Sequence, residues 1–341
     1  MFKPTWKATI AIAITFVLII TLAVFIRARY FNAVPVDSYS WTQVTAQAEW
    51  KPGYSFSALA FNNKLWIFGK SDGNWVSDDG KNWVRVQSNG DMPAASGYDS
   101  YVVFNNEVYA IGGTEDRSEL GKKTVWKSSD GITWTLLTQN PEWSARVWYT
   151  LVVLNDKIWL IGGYDGDDRN DVWHSGDGVN WERATANAPW AGRCMHASVI
   201  HDNKIWVMGG RSDMDGWWET HFDDVWYSTD GTNWMEATPS AGWSKRYGLA
   251  SVSWDGKIWV MGGSRLFRNN EVWFSQDGTN WIELGEASWT PRFSLATVVF
   301  QNKVWIMGGK EGGGIFTNDV WNITPSPTQV ARDPRVTSRS S

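Results

Sequence analysis

The feature that most constrains this chain is a pattern of residues that repeats six times along it. The clearest copy is residues 146–181, RVWYTLVVLNDKIWLIGGYDGDDRNDVWHSGDGVNW. It holds two alternating apolar runs joined by an Asn-Asp turn, then a glycine pair, a polar loop, Asp-Val-Trp and an Asp-Gly turn. Alternating apolar residues between turn residues are typical of short antiparallel strands joined by tight hairpins.

Two aromatic positions show the period of this pattern. An aromatic residue on the second strand recurs at Trp66, Tyr109, Trp159, Trp206, Trp259 and Trp305. A tryptophan on the third strand recurs at Trp75, Trp126, Trp173, Trp226, Trp273 and Trp321. Units of about 40 to 50 residues with four strands each indicate the blades of a β-propeller. The sequence therefore predicts an all-β fold, a six-bladed propeller, although the length alone suggests about two domains.

Composition supports this prediction and excludes one class of partner. The chain has 27 Trp, and large flat rings suit the wedges between blades, so we expect most of them in the core. The net charge is −5, and four of the basic residues lie within the first 29 residues, which hold no acid. The remainder is therefore acidic, which argues against nucleic acid as a partner. Cys194 is the single cysteine, so no intrachain disulfide can form.

The N-terminus carries a candidate membrane anchor. Residues 8–26 are apolar or Thr and contain no charge, which is enough helix to span roughly 28 Å of hydrocarbon. The apolar region of a cleaved signal is usually shorter. We therefore predict an uncleaved transmembrane anchor at residues 1–29 and a linker at residues 30–39. Basic residues flank the span almost equally, and we expect the propeller outside the cytoplasm, in the periplasm or at the cell surface.

The two ends of the repeat predict how the ring closes. Residues 40–50, SWTQVTAQAEW, match the end of a unit such as NWMEATPSAGW at 233–243, whereas the last unit stops after Trp321 without an Asp-Gly turn. Residues Trp41–Val44 should therefore supply the missing fourth strand of the last blade, which removes two exposed sheet edges. The propeller then spans residues 40–323. The polar tail at 324–341 is predicted to be disordered.

The repeat resembles the kelch repeat in three positions. These are an arginine at the first strand, Ile/Val-Trp-x-x-Gly-Gly at the second and Asp-Val-Trp at the third. The glycine pairs begin at Gly112, Gly162, Gly209, Gly262 and Gly308, and the first blade keeps only Gly69 before Lys70. The resemblance covers about residues 40–323 and implies a six-bladed propeller. It implies no single activity, because kelch-type propellers include protein-binding modules, sugar-binding proteins and a few enzymes.

The arginines of the repeat are paired with acids in the same units. The two blades that lack the arginine, with Gly53 and Ser96 in its place, also lack the acid two residues before the third-strand Trp. First and third strands are separated by about 9.6 Å across the second strand, which an arginine can bridge. We therefore predict structural ion pairs within blades, in preference to a cluster of arginines that binds a ligand's carboxylate. The pairs are Arg146–Asp171, Arg193–Asp224, Arg246–Glu271 and Arg292–Asp319.

Function is expected where the copies of the repeat differ. Three residues after the arginine position, blades two to four carry Asp99, Tyr149 and His196, which we predict to form a polar arc at the mouth of the central channel. Trp148 and Met195 lie beside them. The longest loop between second and third strands, residues 211–224, adds Trp217, Trp218 and His221. The two tryptophans either form an exposed binding site or fold back onto the ring, and the sequence does not choose between these.

No catalytic or metal-binding constellation is visible. The four histidines pair by sequence neither with Cys194 nor with a glycine-flanked serine. Residues 165–171 lack the Gly and Glu that a calcium loop needs, so we interpret them as a solvated acidic loop. Copper chemistry of the galactose-oxidase type needs a Cys-Tyr and paired His set that one cysteine does not supply. We expect no cofactor and no metal.

These observations favour a binding module without catalysis, with a protein or a glycan as the partner. The partner would bind the loop face, which we define as the face built from the loops that join fourth to first strands and second to third strands. The alternative is a carbohydrate-active propeller, sugar-binding or mutarotase-like. It would use Asp99, Tyr149 and His196 as polar groups and Trp148 for stacking.

Overall fold

The computed structural model describes residues 39–87, 99–112, 123–212, 220–265 and 267–326. The predicted anchor, nearly all of the linker and the tail beyond residue 326 lie outside these residues. Within the described ranges, the structure contains no helix with the length and apolar character needed to cross a bilayer. Tyr39–Pro325 form one compact unit.

The described residues form six antiparallel sheets of four or five strands, which are the blades of the propeller, and one two-stranded sheet. The chain enters through β1 (Tyr39–Thr45). Blade 1 is β2 (Ser57–Phe61), β3 (Lys64–Phe68), β4 (Asn74–Ser77) and β5 (Val84–Val86). Blade 2 is β6 (Asp99–Phe104), β7 (Glu107–Gly112), β8 (Val125–Ser128) and β9 (Thr135–Thr138). Blade 3 is β10 (Thr150–Leu154), β11 (Lys157–Tyr164), β12 (Asp168–Ser175) and β13 (Glu182–Thr185).

Blades 4 to 6 keep this order with small additions. Blade 4 is β14 (Ala197–His201), β15 (Lys204–Met208), β18 (Val225–Ser228) and β19 (Met235–Thr238), and a hairpin of β16 (Arg211–Ser212) and β17 (Thr220–His221) extends its loop. Blade 5 is β20 (Ala250–Trp254), β21 (Lys257–Met261), β22 (Glu271–Ser275) and β23 (Ile282–Glu286). Blade 6 holds β24 (Arg292–Phe293), β25 (Ala296–Phe300), β26 (Lys303–Glu311), a 3₁₀ turn (Gly312–Gly314) and β27 (Phe316–Pro325).

The blades are arranged in a closed ring, as the repeat predicted. The first strands β2, β6, β10, β14, β20 and β25 each contact the first strand of the next blade, and β25 contacts β2. The closure also forms as predicted, because β1 pairs antiparallel with β27, with Trp41 opposite Ile323 and Gln43 opposite Trp321. The N-terminal strand therefore completes blade 6.

Contacts between neighbouring blades depend on the Asp-Gly turns. Gly231 of blade 4 adopts φ 71° and lies against Trp159 of blade 3, so closely that an added Cβ would be 1.9 Å from the ring. Only glycine satisfies both the backbone conformation and the packing. The same contact joins Gly80 to Trp305, Gly131 to Trp66, Gly178 to Tyr109 and Gly278 to Trp206.

The aspartates of these turns act structurally. Asp177 Oδ1 accepts hydrogen bonds from the backbone N–H groups of Val179 and Asn180, both at 2.8 Å, and from Ser175 Oγ at 3.0 Å. The indole of Trp181 donates to the carbonyl of Gly178 at 3.1 Å. The turn thereby fixes the position of the Trp181 indole that follows it.

Candidate functional site

The predicted ion pairs are present at the bases of the loops. Arg146 is 1% exposed, and its Nη1 and Nη2 lie 2.6 and 3.0 Å from the two carboxylate oxygens of Asp171. Its other N–H groups donate to the carbonyls of Ser144 and Gly162 and to Ser144 Oγ. The five donors of this guanidinium are therefore engaged within the blade, which supports a structural role.

The other three pairs repeat this geometry with one variation. Arg193–Asp224 and Arg292–Asp319 are bidentate, with nitrogen–oxygen distances of 2.5 to 2.9 Å. Arg246 reaches Glu271 through Nη2 alone, at 2.5 Å. Each acid also accepts the indole N–H of the third-strand tryptophan two residues later, at 2.7 to 3.2 Å. The acid therefore joins the arginine to the core.

Blade 1 has a different cation in the same place. A Cβ added to Gly53 would lie 2.7 Å from Lys70 Nζ, so the ammonium fills the space of the missing arginine. Lys70 is 6% exposed, and its Nζ lies 4.9 Å from the ring centroid of Trp50 and 4.0 Å from Asp72 Oδ1. Burial lowers the pKa of Lys70 to about 8. The departure from Gly-Gly at Gly69–Lys70 is the sequence signal for this substitution.

The structure corrects the predicted polar arc at the channel mouth. Tyr149 and His196 are each 4% exposed and lie between blades. The Tyr149 hydroxyl donates to the carbonyl of Ile111 at 2.6 Å, and a Cβ on Gly112 would come within 2.2 Å of it. The His196 ring lies 3.0 Å from the corresponding position on Gly162. Each side chain packs against the preceding blade. At the equivalent position, blades 5, 6 and 1 have Leu249, Leu295 and Phe56, which make the same contact.

The surroundings of His196 keep its imidazole neutral. Its Nε2 is 3.0 Å from Thr150 Oγ1, which is itself 2.6 Å from Ser198 Oγ. Burial, with a smaller contribution from the positive charge of Arg193, lowers the pKa of His196 to about 3. Asp99, the third member of the predicted arc, lies in β6, and its side chain is outside the description.

Trp148 and Met195 lie two residues before the first strands of blades 3 and 4. Both have positive φ, 58° and 52°, a conformation that is uncommon for such side chains. The Met195 N–H donates to the Trp148 carbonyl at 3.0 Å, and further backbone bonds of this kind continue through Gly248 and Ser294 to Ser55. These hydrogen bonds connect the segments that lead into the first strands of five blades.

The long loop of blade 4 is described at its two ends, and Trp217 and Trp218 lie outside the described residues. Arg211 pairs with His221 across the small hairpin. His221 stacks on Tyr247 with centroids 5.2 Å apart, and the Arg211 guanidinium lies between Trp148 and Tyr247, at 5.6 and 5.4 Å. The structure therefore brings together two predicted residues, Trp148 and His221, with two that sequence reasoning missed.

Aromatic rings and cations continue from Tyr247 across blades 5, 6 and 1. The ring centroids of Tyr247 and Phe293 are 5.5 Å apart. The Arg268 guanidinium carbon and Lys310 Nζ lie 5.6 and 6.0 Å from the centroid of Phe293. We call this set the aromatic–cation surface, and with its remaining contacts it comprises Tyr54, Arg211, Tyr247, Arg268, Phe293, Lys310 and Phe316. Tyr54, Tyr247 and Phe293 each follow the arginine position of the repeat directly, a signal that comparison of the units could have found.

Blade 3 contains a cleft of about 1090 Å³ on the same face. Two of its acids are paired with arginines: Asp165 Oδ1 accepts from Arg169 Nε at 2.7 Å, and Asp171 binds Arg146. Asp165 has a lowered pKa; burial works against this, while Ser144 and Arg169 stabilise the carboxylate. In the part of the chain that the structure describes, no three His, Cys, Asp or Glu side chains converge to hold a metal ion.

The ring of six blades and the Arg-acid pairs define a kelch-type propeller, and comparison with known proteins gives the same family. The family model of the KLHDC2/KLHL20/DRC7 Kelch-repeats domain matches residues 70–263. The chain therefore belongs to the kelch-repeat family, whose propellers commonly act as protein-binding modules.

Individual relatives match parts of the chain. Alpha-scruin of Limulus polyphemus is 36% identical over 83 residues, which is 24% of this chain and 8% of that protein. The leucine-zipper-like transcriptional regulator 1 homolog of Drosophila melanogaster is 24% identical over 162 residues, 40% of this chain and 16% of that protein. Both relatives extend far beyond the matched region. The solved structure of YjhT superposes with a TM-score of 0.67 at 16% identity, covering 83% of this chain and 99% of YjhT, and shares the fold.

Proposed function

We propose that this chain is a protein-binding module that engages its partner through the loop face of blades 5, 6 and 1. One observation carries the proposal. Large apolar side chains are exposed in or directly beside the second-to-third-strand loops of two neighbouring blades: Phe267 is 85% exposed, Ile315 58% and Phe316, the first residue of β27, 42%. Grouped apolar exposure of this kind marks interaction sites.

Exposed apolar residues elsewhere in the described ranges do not form such a group. Val84, Val179 and Met235 are 64%, 38% and 52% exposed. They lie on three different blades, in outer strands or a turn. Single exposed apolar side chains are ordinary on protein surfaces. The loops of blades 5 and 6 therefore differ from these isolated sites. Loops held by a rigid scaffold such as the propeller are suited to binding a partner.

The sugar-binding alternative has less support. It requires Tyr149 and His196 to reach a ligand, yet each is 4% exposed and makes hydrogen bonds between blades. Trp148 remains partly exposed. With Tyr149 and His196 buried, a partly exposed aromatic ring is a weak basis for sugar recognition.

Attachment to a membrane is part of the same proposal. Its support is the uncharged apolar stretch at residues 8–26 and the Arg27 and Arg29 that follow it. With the propeller outside the cytoplasm, partners would be extracytoplasmic proteins. Protease added to cells whose cytoplasmic membrane is intact, with any outer membrane opened, should digest a tag at the C-terminus. Digestion that also requires permeabilisation of the cytoplasmic membrane would place the propeller inside.

Site-specific photo-crosslinking tests the binding surface. Benzoylphenylalanine placed at Phe267 or Phe316 of the full chain, in the cells that express it, should give discrete protein adducts. The matched control is the same group at Val84, which is exposed in the outer strand of blade 1. Equal adduct formation at Phe267 and Val84, or none at either, would reject this surface as the interface.

A further inference from the structure

The charges on the binding surface are distributed unevenly. Lys310 Nζ lies 5.4 Å from the ring centroid of Tyr54 and 5.6 Å from that of Phe316, and both Lys310 and Arg268 lie over Phe293. No ion pair among the described residues involves Arg268 or Lys310. Arg265, in the same loop as Arg268, is exposed. This part of an acidic protein therefore presents cations.

Nearby acids do not neutralise these cations. Glu311 follows Lys310 in sequence, but its carboxylate accepts from Arg292 Nη2 at 3.1 Å and from the hydroxyl of Thr290. Glu271, at the base of the blade 5 loop, binds Arg246. The first-strand arginines thus engage the neighbouring carboxylates. The loop of blade 3 differs, because there Arg169 pairs with Asp165.

The cations are held in position and can accept a new partner. Each lies on an aromatic face, which limits its motion and its hydration. Arg268 Nε is buried and has no hydrogen-bond acceptor within the described structure. A carboxylate that approaches Arg268 and Lys310 would gain charge-assisted hydrogen bonds without displacing an existing acid.

We infer that the segment bound by this surface is acidic, with carboxylates beside an apolar side chain. The inference rests on the proposed protein-binding function and adds the chemistry of the partner. Carboxylates would lie between Arg268 and Lys310, and the apolar side chain would contact Phe267, Ile315 and Phe316. The ring below the two cations, Phe293, is only 8% exposed, because Arg268, Lys310 and the neighbouring rings cover it. The choice of a protein segment over a lipid surface follows from the protein-binding function proposed above.

Peptide selection on the intact protein tests this chemistry. The full chain in detergent micelles is used to select from a random displayed peptide library, and the most enriched sequence is synthesised as a fluorescent peptide. We expect enrichment of Asp or Glu next to apolar residues. The variant with Arg268→Ala and Lys310→Ala should bind this peptide about 10- to 100-fold more weakly, since one charged hydrogen bond is worth about tenfold or more.

The matched control removes the same charge elsewhere. Lys204→Ala with Lys303→Ala deletes two cations that also lie over tryptophans, at 5.8 and 5.9 Å, beside the tight hairpins of blades 4 and 6. This variant should bind the peptide like the parent. A peptide with Asn and Gln in place of Asp and Glu should bind more weakly. Higher salt should lower the affinity of the original acidic peptide.

Several results would overturn the inference. Enriched peptides without acids, or equal binding of the amide peptide, would reject an acidic partner while the crosslinking at Phe267 still supported a binding module. Vesicles of 30% anionic lipid that bind through Arg268 and Lys310, while no peptide is enriched, would assign the surface to a membrane. Absence of both peptide enrichment and crosslinks at Phe267 would remove the proposed function itself.

Discussion

Tyr39 of the N-terminal strand packs edge-on against Trp259 of blade 5, with ring centroids 4.9 Å apart and planes at 86°. In other blades the equivalent ring is covered by a glycine of the next blade's Asp-Gly turn, as Gly278 covers Trp206. Blade 6 has no such turn, and Tyr39 covers the ring instead. Its hydroxyl also donates to Asp255 Oδ2 at 2.8 Å. The closing strand is therefore fixed to blade 5 as well as to blade 6.

We expect Tyr39→Ala to destabilise the closed ring strongly. The substitution uncovers Trp259 and removes a buried aromatic ring, which typically costs about 3 to 5 kcal/mol in the free energy of unfolding. Tyr39→Phe keeps the ring contact and should cost only about 1 to 2 kcal/mol, because the hydroxyl donates to Asp255 and accepts from Lys257. Urea unfolding followed by circular dichroism measures both. Tyr227→Phe is the control, because that hydroxyl has only a weak contact with Met235 Sδ at 3.5 Å. Similar losses for Tyr39→Ala and Tyr227→Phe would contradict the role of Tyr39.

A double-mutant cycle should show that Arg246 and Glu271 are coupled. Arg246 is 1% exposed, so Glu271→Ala leaves a buried cation without its partner, at a cost of about 3 to 5 kcal/mol for a fully buried pair. Glu271 itself is 30% exposed, so we expect the cost of Glu271→Ala to lie near the lower end of this range. The coupling free energy from chemical unfolding should be about 1 to 3 kcal/mol. Strictly additive losses would show that the two side chains act independently.

Lys70 should make stability rise with pH in the alkaline range. Its pKa is lowered by burial from 10.5 to about 8 in the folded protein. Between these values the unfolded chain holds a proton that the folded protein has lost, so the free energy of unfolding increases with pH. The full increase in the free energy of unfolding from about pH 8 to pH 10.5 is on the order of 3 kcal/mol. Below pH 8 both states are protonated, and the cost of burying the charge is fully present.

The variant Lys70→Met isolates this contribution. It should equal or exceed the parent protein in stability at pH 7, and its advantage should shrink as the pH rises to 10.5. Lys64→Met serves as the control, because Lys64 forms an exposed ion pair with Asp78. A constant difference between the parent and Lys70→Met across this range would refute the altered pKa.

His196 should make the protein sensitive to mild acid. Its pKa lies near 3 in the folded protein and near 6.5 when unfolded, so stability falls as the pH drops from 6.5 towards 3. The variant His196→Leu places the residue of blades 5 and 6 at this position and should remove a loss of about 3 kcal/mol between pH 6.5 and about pH 4. Thermal unfolding between pH 4 and 7 measures it. His174→Gln should have a smaller effect, because that ring is less buried. Parallel pH profiles for His196→Leu and the parent would contradict the prediction.

The repeat allowed several structural features to be predicted without coordinates. Strand order follows from local alternation and turn residues, and a missing fourth strand at one end matched a spare strand at the other, so β1 could be paired with β27. The Arg-acid pairs were predictable for a similar reason. Strands one and three are separated by one strand in every blade. In blade 1, Gly53 stands at the arginine position and Gly73 at the acid position, and this matched absence favoured the pairing.

Contacts between blades could not be obtained in this way. Tyr149 and His196 pack against glycines of the preceding blade, and their direction depends on how neighbouring sheets are rotated and spaced. Lys70 and Tyr39 fill places that the repeat leaves empty, and the aromatic–cation surface joins residues of four blades. The sequence alone determined the number of blades and the closure of the ring, because these follow from interactions within one unit. The tertiary structure decided which side chains are buried and which form a surface, because adjacent units pack through contacts that no single repeat contains.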